Sequence, residues 1–200
     1  MRAAYYERGS VDSFERLARE LEAQGAPRSL VDRARAAAEE ERDHARITSE
    51  LARVRGGTEP SAPPPAPLHV RTLEEIALEN AVEGCVHETY AALVALHQAA
   101  HARARDVRVA MAAIANDEVG HAALAWDVAT WAEATLKDDE RRRVEAARQR
   151  ACDELPARGY DPSPDVHTRV ALGLPDAATV AIIARELAHV LGAGKRTFVA

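Results

Sequence analysis

"ANDEVGHAALAWD", Ala115 to Asp127, is the stretch whose reading decides the fold. Its alanines and leucine favour a helix, and the flanking residues extend the same pattern in both directions. On that helix Glu118 and His121 stand three residues apart. Such a pair lies about 60° apart around the axis, so both side chains reach toward one point beside it. Two solvated polar side chains would account for the pair, and so would two metal ligands on one helical face. The rest of the chain decides between them.

Glu-x-x-His occurs three times: Glu41 with His44, Glu118 with His121 and Glu186 with His189. With 20 Glu and 8 His in 200 residues, roughly one such pair arises by chance, so a single one carries little weight. Spacing adds specificity. A dinuclear site in a four-helix bundle takes one Glu from each of two helices and a Glu-x-x-His from each of the other two. Glu7 precedes Glu41 by 34 residues and Glu83 precedes Glu118 by 35, while the two sets are offset by 76 and 77. A common offset is the signature of an internal repeat. The local sequence agrees: "ERGSVDSFERLA" from Glu7 aligns with "EGCVHETYAALV" from Glu83, pairing Asp12 with Glu88 and Phe14 with Tyr90. "AEEERDHAR" from Ala38 aligns with "ANDEVGHAA" from Ala115. Glu186 and His189 have no counterpart and read as an exposed or capping pair.

Outward from these motifs the chain reads as helices. A first helix runs from near Met1 to Gln24, stopped by Gly25 and Pro27, and a second covers Ser29 to Arg55. "GGTEPSAPPPAPL", Gly56 to Leu68, is a proline-stiffened crossover. Thr72 and Glu75 form a capping box that opens a third helix reaching about Arg103. Asp106 is expected to cap a fourth, to Leu136. A fifth helix is expected over Asp139 to Leu155, then a loop "PARGYDPSPD" and a last helix from Asp176 to Leu191. The expected fold is all-α: two antiparallel hairpins joined by the crossover over residues 1–136, with residues 137–200 a helical extension packed on the bundle.

Composition narrows the function classes. Net charge of −6 without a basic stripe argues against nucleic-acid binding. Cys85 and Cys152 form no CxxC pair, which excludes a cysteine zinc site or a rubredoxin-type iron centre within this chain. No secretory apolar segment opens the sequence and no apolar run has membrane-spanning length, so a cytoplasmic location is expected.

The order Glu, Glu-x-x-His, Glu, Glu-x-x-His resembles the ferritin-like superfamily, in its rubrerythrin-type di-iron carboxylate branch, over about residues 1–136. The resemblance implies that Glu41 and Glu118 bridge two metals, with Glu7 and His44 completing one protein shell and Glu83 and His121 the other. It also implies that Asp117 and Glu40 orient ligand histidines across the bundle, through the ring N–H that each imidazole donates. The cofactor implied is two iron ions, with manganese or a mixed Mn/Fe pair as alternatives. The chain departs from rubrerythrins at Val86, where they carry a further carboxylate, and in lacking CxxC pairs. His87, one turn from Glu83, is a candidate additional ligand or acid–base group, against a rim residue. Tyr90 and Trp126 are candidates to relay electrons or line a pocket, against ordinary packing. Cys85 is expected to point away from the face of Glu83, and His97 and His101 to lie on a solvated face.

The reading that follows is a non-haem dinuclear protein that uses O2 to oxidise a small organic substrate, with an external electron donor if it is an oxygenase. The alternatives are iron oxidation or peroxide protection, and a metal-free helical module. A monomer or dimer is expected rather than a cage, with no membrane or nucleic-acid partner.

Overall fold

The structure, a computed structural model, describes residues 2–58 and 69–192, with side chains for 3–58 and 69–190. Most of the expected crossover, residues 59–68, lies outside the described residues. Every regular element among those described is helical: α1 (Arg2–Ala23), α2 (Arg28–Arg53), α3 (Leu73–Glu79), a π-helical segment (Asn80–Glu88), α4 (Thr89–His101), α5 (Arg105–Thr135), α6 (Asp138–Arg158), α7 (Val166–Leu172) and α8 (Ala177–Gly192). None is long and apolar enough to cross a membrane. The chain divides into two compact units, Met1–Ile76 and Ala77–Ala200, with the boundary inside α3.

In the first unit α1 and α2 form a hairpin. Gly25 makes the turn at φ +73°, a left-handed conformation costly to any residue with a Cβ. The Ala26 N–H then donates back to the Leu21 carbonyl and closes the helix end. Phe14, Ala18 and Leu21 from α1 and Val31, Ala34, Ala37 and Ala38 from α2 are buried at three- and four-residue spacing. Farther along, Arg71 donates from Nε and Nη2 to the buried Glu20 carboxylate, at 2.8 and 2.7 Å. Gln24 Nε2 donates to the Arg71 carbonyl at 2.7 Å. Together these bonds pin the strand of chain before α3 to α1. The Thr72–Glu75 capping box is present, with the Thr72 N–H donating to the Glu75 carboxylate at 2.8 Å.

In the second unit the π-helical segment and α4 run along α5. The expected third helix is therefore continuous but not uniformly α. Asn80 Nδ2 donates across to the Ala125 carbonyl of α5 at 2.9 Å. At Gly84, a Cβ would stand 2.8 Å from the Ala125 methyl and 2.6 Å from Asn80 Oδ1, so only glycine permits this approach. α5 buries Val107, Met111, Ile114, Ala115, Ala122, Ala125, Val128 and Ala132 on one stripe. Its N-cap is Ala104, without a side-chain cap, and Asp106 sits inside the first turn, which corrects the expected cap. There Asp106 still favours the positive end of the helix dipole.

α6 and α8 pack with the π-helical segment through Val86, Ala151, Cys152, Leu155, Ala184 and Leu187. Between the expected loop and the last helix lies a further helix, α7, whose N-cap Asp165 accepts from the Thr168 N–H at 2.8 Å. The last turn of α7 docks on the α4–α5 connection, where the Arg103 and Ala104 N–H groups donate to the Val170 and Ala171 carbonyls. Gly173 ends α7 at φ +64°, with its Cβ position 2.4 Å from the Ala102 nitrogen. Gly173→Ala combines a left-handed penalty with overpacking and should destabilise by about 2–5 kcal/mol. Urea unfolding measures it; an unchanged midpoint would show that the docked turn is not part of the cooperative unit.

Candidate metal centre

α2, in the first unit, and α5, in the second, each carry a cluster of ionisable side chains. Each helix buries an apolar stripe, and on each stripe two positions are a Glu and a His. On α2 the stripe Ala34, Ala37, Ala38, Ala45 and Thr48 includes Glu41 and His44, both 1% exposed. On α5 Glu118 and His121 are 5% and 2% exposed. Burying an ionisable pair on an apolar face costs several kcal/mol unless partners offset the lost hydration. Polar residues therefore occupy core positions in the same arrangement on both helices.

In the first unit Glu7, in the second turn of α1, joins them. One ligating atom each from Glu7, Glu41 and His44 lie within 4.8 Å of one another. In the second unit the same holds for Glu88, Glu118 and His121. His44 Nδ1 stands 3.7 Å from Glu41 Oε2, and His121 Nδ1 stands 3.9 Å from Glu118 Oε2. Both separations are too long for a hydrogen bond. They suit two atoms bound to one ion, since ligands at about 2.1 Å from a metal lie no more than about 4.2 Å apart. These four buried atoms make no hydrogen bond, while their side chains keep other polar interactions. Carboxylate with imidazole is a donor set for iron, manganese or zinc rather than for calcium.

Glu83 stands apart from this cluster. Its side chain is 63% exposed, and its carboxylate meets His87 Nδ1 at 2.9 Å. That bond holds the Glu83 carboxyl below its ordinary value; burial opposes the shift, and the charges of His87 and Arg158 add to it. The carboxylate that reaches Glu118 and His121 is Glu88. The reason is the π-helical segment over Asn80–Glu88. Closing i→i+5 rings places more residues in each turn, so a face counted at 3.6 residues per turn is no longer the face that points inward. The available signal was a second Glu five residues after the first.

The other candidates fall as follows. His87 is half-buried and serves Glu83. Tyr90 donates to the Gly159 carbonyl at 2.9 Å, and burial pushes its phenol up to about 12, so it ties α4 to the end of α6 as a neutral group. Trp126 packs on Cys85, Ala125 and Ala129. Its Nε1 donates to Thr89 Oγ1 at 3.3 Å, and the Arg148 guanidinium lies 5.4 Å over its ring. Cys85 is buried toward α5. Asp117 and Glu40 are half-buried and engaged in polar contacts. His97 and His101 stack at 4.1 Å toward the surface, and Glu186 and His189 are exposed.

A comparison with protein-family models, with curated proteins and with solved structures found no match to this chain.

Proposed function

We propose that this chain is a ferritin-like, non-haem dinuclear carboxylate protein, in which the two clusters would hold a pair of iron ions, one each. The observation that carries the reading is the convergence, in each unit, of a buried Glu-x-x-His with a carboxylate from the neighbouring helix. In this reading Glu7, Glu41 and His44 would hold one ion, and Glu88, Glu118 and His121 the other. Manganese or a mixed pair satisfies the same donors. An iron pair so held supplies electrons to O2 or peroxide for the oxidation of a small organic molecule, with an external donor closing the cycle if it acts as an oxygenase. Four carboxylates balance the charge of two divalent ions, which offsets the cost of burying them.

The protein's own contribution is rigidity and exclusion of water. The ligating side chains sit on helices rather than loops, which holds them to a narrow geometry. Thr48 Oγ1 donates to the His44 carbonyl at 2.8 Å, fixing the backbone turn that carries that ring. The alanines around Glu41 and Glu118 keep solvent away and strengthen every charge interaction in the site. The test is metal content per chain after anaerobic iron loading, followed by the optical spectrum when O2 is added. About two irons per chain and an O2-dependent absorption are expected. A folded helical protein without stoichiometric iron or manganese would rule the reading out.

A further inference from the structure

The first unit contains a cavity of about 880 Å³ along α1 and α2, a volume within the roughly 300–1,000 Å³ of small-molecule sites. It flanks the metal cluster along the sequence of both helices. On α1 its wall begins at Arg8, next to Glu7, and on α2 it includes Ala45, next to His44. Adjacent helical residues point about 100° apart, so the cavity wall and the ligating face share an edge.

The wall is basic in an acidic protein. Arg8, Arg42, Arg46 and Arg53 face two carboxylates, Asp12 and Glu50. Arg53 is committed to Glu50 through Nε and Nη2, and Arg42 pairs with Glu15 and Glu39 outside the cavity. Arg46 is held differently. One nitrogen reaches Asp43 at 3.2 Å, and both side chains are 70% exposed or more. Exposed pairs of this kind contribute about 0–1 kcal/mol and exchange readily for a better anion. A second observation points the same way. Ser49 Oγ, in the same wall, is buried and makes no hydrogen bond. A hydroxyl buried without an acceptor costs about 1–3 kcal/mol, which a ligand oxygen would recover. Val11 and Ala45 supply apolar surface beside these groups.

We infer that this cavity binds a small organic anion, gripping its carboxylate or phosphate head with Arg46 and Ser49 and packing its apolar body on Val11 and Ala45. The inference rests on the dinuclear reading for its role, since it makes the bound anion the molecule that is oxidised. Arginine forks match planar and tetrahedral oxyanions alike. The apolar wall selects an organic body over a bare ion.

The test is calorimetric titration of the full chain, with and without loaded iron, using hexanoate, hexyl phosphate, hexylamine and inorganic phosphate. Hexanoate or hexyl phosphate should bind at least about tenfold more tightly than hexylamine, the contribution of one charge-assisted hydrogen bond. Arg46→Gln should weaken the better anion by about tenfold or more, and Ser49→Ala by several-fold. Arg46 is exposed, so its replacement leaves folding intact, and Ser49→Ala provides an independent check from the buried side. Equal affinity for hexylamine, inorganic phosphate binding as tightly as its hexyl ester, or indifference to both substitutions would overturn the inference. Normal iron loading alongside any of these results would leave the dinuclear reading standing. Arginine-dependent anion binding in a chain that loads no iron would overturn the substrate role.

Discussion

Replacing Glu88 with alanine should weaken iron binding by more than about 100-fold, while Glu83→Ala should change it by less than about twofold. Loss of an outer hydrogen-bond partner of a ligand typically costs about 10–100-fold in metal affinity, and loss of the ligand itself exceeds that. Glu88 meets Glu118 and His121 within 4.8 Å, whereas Glu83 is 63% exposed and bonded to His87. Motif spacing alone makes the opposite prediction. Iron titration of the two variants under anaerobic conditions therefore compares the two assignments directly. Both substitutions remove one carboxylate from the same helix, so a general effect of helix charge would move them together. Loss of iron on Glu83→Ala with retention on Glu88→Ala would restore the spacing-based assignment.

Arg71→Ala should destabilise the protein by about 3–5 kcal/mol, because it leaves the Glu20 carboxylate buried without its main cation. Glu20 is 1% exposed and Arg71 donates to it from side chain and backbone. Burial raises the Glu20 pKa, but the hydrogen bonds and charge of Arg71, with that of Arg16, outweigh it, so the net shift is below 4.5. A depressed carboxylate adds stability above its unfolded pKa, and that stability fades as pH falls through the lower folded value. Wild-type stability should therefore drop from about pH 4.5 downward. In Glu20→Gln that acid-side slope should be shallower. Urea unfolding midpoints from pH 7 to pH 3 measure both effects. An Arg71→Ala midpoint equal to wild type at pH 7 would show that the pair contributes nothing net.

Much of this was legible before any coordinates. The α1–α2 turn at Gly25, the capping box at Thr72, and the buried places of Glu41, His44, Glu118 and His121 all follow from local rules: a left-handed glycine, reciprocal capping, and period-3.6 apolar stripes. Those rules act within a few residues of each other, so the sequence displays them directly. What escaped were features set by tertiary contact. The π-helical segment depends on Gly84 lying against Ala125 and on Asn80 reaching the Ala125 carbonyl, 45 residues away in the chain. α7 has only seven residues, too few for an apolar period to emerge, and its place is held by backbone bonds to the α4–α5 connection. Tyr90 repeats Phe14 in the aligned halves, yet it bonds to Gly159, in the region that has no copy in the first half.

The π-helical segment also bears on how this architecture is sought in other chains. A helix that closes i→i+5 rings absorbs a residue without breaking, so counts taken before Asn80 and after Glu88 belong to different registers. A search template that fixes the interval between a lone carboxylate and its Glu-x-x-His treats helix length as a ruler. Here the interval is 34 residues in one half, from Glu7 to Glu41, and 30 in the other, from Glu88 to Glu118. The difference of four exceeds the single residue that such a segment absorbs, so only a template with a free interval would accept both. Kinship among such chains is better judged by which positions of an apolar stripe are replaced by Glu and His than by the distance between them.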